Sequence, residues 1–86
     1  MMHLIPVDLL FEALQECYAI IRLHGFEPKK FCVISDDDGV IIKFVIPGEH
    51  DELLRLWDKL SQRVSEILMS YGEYVFVEVE PYACGV

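Results

Sequence analysis

The seven residues that follow the Asp38-Gly39 pair constrain this chain most. Val40-Ile41-Ile42-Lys43-Phe44-Val45-Ile46 is apolar at every position but Lys43. A strand with one face on a core alternates apolar and polar side chains, whereas a near-continuous apolar run calls for cover on both faces. The rest of the chain offers helices for one face only. The run therefore predicts a sheet whose second face carries more apolar surface than the chain itself covers.

The elements around it follow from periodicity and punctuation. Residues 6–24 read as a helix, with Asp8 in the first turn and His24-Gly25 as its stop. Leu10, Leu14, Cys17 and Ile21, joined by Val7, Phe11 and Tyr18, form a wide apolar stripe along it. Residues 31–35 and 40–46 read as strands of a hairpin turning through Asp36-Asp37-Asp38-Gly39, since glycine accepts positive φ and aspartate tolerates it. A two-residue Asp38-Gly39 loop would place Val33 opposite Phe44. A four-residue loop keeps the same faces, and a three-residue bulged loop swaps those of the first strand.

Residues 49–71 give the strongest helical pattern. Leu53, Trp57, Leu60, Val64, Ile67 and Tyr71 recur at spacings of four and three, flanked by Leu54, Leu56 and Leu68, with Gly72 as the expected C-terminal residue. Trp57 and Tyr71 on that stripe read as core. Residues 74–80 then alternate as a last strand that ends at Pro81. Residues 1–5 form a short apolar segment, read either as a first strand or as a tail. The order (β)αββαβ in a single domain, residues 1–86, predicts an α+β two-layer sandwich. It is ferredoxin-like if the first strand forms and a three-stranded variant if it does not, with both helices on one face of the sheet.

Charge narrows the partners. Fifteen acids against seven Lys and Arg leave a formal charge of −8, which repels phosphate backbones and anionic lipid. Lys29-Lys30 is the only basic pair, so no nucleic-acid partner is expected. No apolar stretch reaches the roughly 18 residues needed to span a bilayer, so no membrane segment is expected either. The N-terminus lacks the pattern of a secretory signal, and Cys17, Cys32 and Cys84 are widely spaced without a CxxC pair. A cytoplasmic protein with reduced thiols is the expectation.

Candidate chemistry is sparse. Asp36-Asp37-Asp38 is a weak metal candidate: three carboxylates suit a hard cation, but adjacent side chains on a turn diverge and the spacing of a calcium loop is missing. His50-Asp51-Glu52 cannot share a helix face and reads as an acidic helix start. Glu78 and Glu80 share one face of the last strand, where Lys43 can meet them, and these three form the possible polar site. No glycine-rich phosphate loop, nucleophile elbow or zinc-binding helix motif occurs. No catalytic residue can be named, no cofactor is implied, and the reading leans away from an enzyme.

What remains is the outer sheet face. Cys32, Ile34, Ile41, Lys43, Val45, Tyr74 and Phe76 are expected there together, as an interface. The expected function is a small acidic binding or regulatory module that forms a homodimer through that face, with a different protein as the other candidate partner. The alternatives are a small enzyme whose site forms at the dimer interface from Glu78, Glu80, Lys43 or a cysteine, and a small-molecule-sensing ferredoxin-like domain. The second is disfavoured because no glycine-rich turn follows the first strand.

Overall fold

The computed structural model describes residues 5–82. Helix α1 spans Val7–Leu23, strands β1 and β2 span Lys30–Asp36 and Gly39–Ile46, and helix α2 spans His50–Leu68. A 3-10 turn over Met69–Tyr74 leads into strand β3, Val75–Pro81. β1 runs antiparallel to β2 and β3 parallel to it, in the order β1-β2-β3. Among the described residues the fold is a small α+β sandwich of ferredoxin-like layering with three strands, β2 and β3 being direct neighbours across the α2 crossover. Residues 1–4 of the proposed first strand lie outside the described residues. Ile5 belongs to no strand and packs half-buried against the core.

One core holds the layers together. Val40, Ile42, Phe44 and Ile46 of β2 and Val75 and Val77 of β3 meet Ala13, Cys17 and Ile21 of α1 and the leucine stripe of α2. Both helices therefore lie on the same face. Arg63 ties them at the rim: its Nε and Nη2 donate to Glu16 Oε1 at 3.0 and 2.7 Å, and its Nη1 donates to Glu66 Oε1 at 3.2 Å. That arrangement raises the guanidinium pKa above its ordinary value, first through the hydrogen bond to Glu16 and then through that to Glu66.

Local chemistry explains the element ends. Gly25, at φ +85°, closes α1: its N–H donates to Arg22 O at 3.0 Å and the N–H of Phe26 donates to Ile21 O at 3.1 Å. These are the two bonds of a Schellman stop, with Phe26 folded onto the core behind them. α2 ends at Leu68, three residues before the expected end. Met69 turns the chain at φ +52°, and Gly72 falls inside the 3-10 segment instead of capping the helix. The tighter 3-10 path brings the chain back beside β2 within six residues.

The hairpin register also differs from the two-residue Asp38-Gly39 loop. The loop is Asp37-Asp38, closed by the pair Asp36↔Gly39, so Val33 lies opposite Ile42 and not Phe44. Asp36 sets this register, because its Oδ1 accepts the backbone N–H groups of Asp38 at 2.8 Å and Gly39 at 3.0 Å. Gly39, at φ +153°, then passes so close to the end of the 3-10 turn that a Cβ there would overlap the Tyr74 carbonyl. The shift is two residues, which leaves every side chain on its expected face.

Two stripes are narrower than expected. On α1, Ala13, Cys17 and Ile21 are buried and Leu10 and Leu14 half-buried, while Val7, Phe11 and Tyr18 remain exposed. On α2, Leu54 and Trp57 lie at the margin, nearly half exposed, whereas Tyr71, in the 3-10 turn beyond the helix, packs against the core. A helix resting on a flat sheet buries little more than one side, and α1 carries apolar residues around more than that.

Candidate functional site

The strand registers arrange the face turned away from the helices into rows. Ile34, Ile41 and Phe76 are cross-strand neighbours in one row, and Cys32, Lys43 and Glu78 form the next. Lys30, Val45 and Glu80 form the third. The first row is an apolar band with no layer above it among the described residues. Phe76 is 57% exposed and Ile34 47%, with Ile41 half-buried between them.

Two of the seven residues expected on this face sit otherwise. Val45 is only 7% exposed, although it shares the face. It is flanked by Lys30 and Glu80 in register and by Lys43 two residues away, and the long stems of such side chains cover apolar surface. Tyr74 lies in the 3-10 turn before β3 and is half-buried, so it takes no place in the pleat. The usable apolar surface is thus Cys32, Ile34, Ile41 and Phe76.

Lys43, the exception in the apolar run, has a partner. Its Nζ lies 3.3 Å from Glu80 Oε2, and Glu78 is its register neighbour. The hydrogen bond and charge of Glu80 hold the ammonium pKa above its ordinary value, and Glu78 adds to this. Lys43, Glu78, Glu80 and Pro81 line a depression of about 170 Å³. The possible polar site is therefore assembled, as a paired cation beside a second carboxylate. A lysine held protonated in this way supplies charge and donors, not a base.

The other candidates separate. Asp36 is committed to backbone amides of its own turn, and the three aspartates form no shared ligand set. No group of three or more His, Cys, Asp or Glu residues disposed to hold a metal occurs among the described residues. Cys17 is fully buried, and burial pushes its thiol up to about 12, with Glu16 adding to the shift. It has no nucleophilic character at neutral pH. Cys32 is exposed on the open face.

One contact has no forewarning in the sequence. Trp57 Nε1 donates to Val77 O at 2.6 Å, so α2 caps the outer edge of β3 with an indole. Grooves of about 280 and 290 Å³ lie on either side of that ring, lined mainly by α2 and β3. In the sequence Trp57 reads as a core residue of its helix stripe, and nothing there marks it for the edge of β3. No helix among the described residues is long and apolar enough to cross a membrane. Compared with known proteins, the chain matches no family model, no curated protein and no solved structure.

Proposed function

We propose that this chain is a cytoplasmic binding or regulatory module that works as a homodimer through its open sheet face. The observation that carries the reading is the Ile34–Ile41–Phe76 row, an apolar band across all three strands with nothing above it among the described residues. A second copy supplies the same band, and a two-fold contact lets each cover the other. The Lys43–Glu80 pair beside the band gives the contact a polar rim that fixes orientation more than it adds affinity. Phe76→Glu places a charge within that apolar band. Sedimentation at micromolar concentration should then show the mass halved with the fold retained, and an unchanged mass contradicts the reading.

The second reading keeps Lys43, Glu78 and Glu80 as a polar site completed by the neighbouring copy. Its support is that the three groups share one depression. In that arrangement Glu78, the carboxylate not paired with Lys43, would accept from a donor group of the ligand.

A further inference from the structure

A second apolar surface lies on the other side of the sheet, at the free edge of β1. All seven residues of β1 are exposed, and among the described residues no strand pairs with its outer edge. Asp36 and Gly39 close a two-residue turn and so form a hydrogen-bonded pair, after which bonding alternates along the ladder. Lys30, Cys32, Ile34 and Asp36 turn their amides towards β2. Phe31, Val33 and Ser35 turn theirs outward. The other side of the ladder agrees, since Ile46 O accepts from Tyr82 N–H beyond β3 at 3.0 Å. The outward run holds no proline and no charge, the devices that usually blunt an edge.

We propose that β1 pairs antiparallel with β1 of a second copy, centred on Val33, to make one continuous sheet. In that register Phe31 faces the second copy's Ser35, and Cys32 faces its Ile34. Lys30 faces its Asp36, so two opposite-charge pairs close the ends. Every outward amide then meets an outward amide. Sliding the pairing by two residues sets Lys30 opposite Ile34 one way and opposite Asp38 of the turn, outside the ladder, the other. Only this register therefore pairs Lys30 with an acid within the strand.

Helix α1 supplies independent support. At 100° per residue, Val7, Phe11 and Tyr18 lie on the flank opposite Glu16, whose carboxylate meets Arg63 of α2. α2 packs over β3 and against α1, so this flank is the side of α1 turned away from α2. Phe31 and Val33 are the exposed apolar residues on the helix-facing side of β1. Face-matched antiparallel pairing carries the second copy's α1 to the same side of the sheet. The two flanks then cover one another across the axis.

This edge contact is separate from the face contact proposed above: one widens the sheet, the other stacks it, and the two together assemble four chains. The test is sedimentation of the full chain at micromolar concentration, with Val33→Pro and Phe76→Glu run in parallel. Val33→Pro removes an outward N–H and no bond to β2, a change edge strands tolerate, so the fold survives by circular dichroism. Support is a halved mass in Val33→Pro, whether or not Phe76→Glu also lowers it. Lys30→Glu, which turns both end pairs repulsive, should raise the dissociation constant about tenfold. A folded Val33→Pro variant with wild-type mass overturns the edge contact even where Phe76→Glu breaks the other. A monomeric wild type overturns both. Should Val33→Pro fail to fold, an unchanged dissociation constant in Lys30→Glu overturns the edge contact.

Discussion

Lys43 shows how one side chain reconciles an apolar strand with a half-open sheet. On the helix face, β2 buries Val40, Ile42, Phe44 and Ile46; on the other, Lys43 carries its charge to Glu80, beside the buried Val45. Gly39 is as constrained in the opposite sense. Its φ of +153° and the approach of the Tyr74 carbonyl leave no room for a Cβ. Gly39→Ala should therefore cost about 2 kcal/mol or more in urea unfolding, and a loss within error contradicts that close approach. Cys17 makes a pH-dependent contribution whose sign is fixed by burial. Below pH 9 its thiol is protonated in both the folded and unfolded chain. Above 9 the unfolded thiol ionises while the folded one keeps its proton to about 12. Stability then falls by up to about 1.4 kcal/mol per pH unit from this group. Unfolding curves between pH 8 and 11 should be flatter for Cys17→Ala than for the wild type. Alkylation at neutral pH, read by peptide mass, should mark Cys32 and spare Cys17.

Among the elements, α2 and β3 depend on each other through Trp57. Trp57→Phe keeps a ring on the groove floor but removes the donor to Val77 O. The expected cost is about 1 kcal/mol, because the freed carbonyl lies at a sheet edge that water can reach. A loss of several kcal/mol would mean the ring and not the bond holds the edge. The elements themselves were legible wherever periodicity and end chemistry agreed. The spacing on α2, the Gly25 stop on α1 and the alternation on β3 each had one physical solution. The register did not, because Asp-Gly at 38–39 suggested one loop while Asp36 captured the amides of another. The end of α2 was obscured for a similar reason. Gly72 is the usual kind of terminal residue, yet the return to β2 forced the turn at Met69. Sequence patterns describe what a helix can do, and the path to the next strand decided where this one stops.

At the scale of the molecule, two apolar surfaces are left uncovered by the described residues. The open face was legible because an unbroken apolar strand and helices on one side imply it. The exposed α1 flank of Val7, Phe11 and Tyr18 was not, because each of these residues also fits the helix's core stripe. Only the assembled layers show that α1 rests on Ala13, Cys17 and Ile21 and turns the others outward. The polar cluster falls between these cases: strand parity placed Glu78 and Glu80 together, and the parallel register then set Glu78 directly beside Lys43. The proposed association rests on these two surfaces, which the described residues leave uncovered. The central claim is that the open face is covered by another copy. Sedimentation equilibrium of wild type and Phe76→Glu across the micromolar range tests it most directly. The account predicts a wild type of more than one chain and a folded Phe76→Glu variant of half its mass. A wild type that stays a single chain throughout, or a variant of unchanged mass, contradicts it.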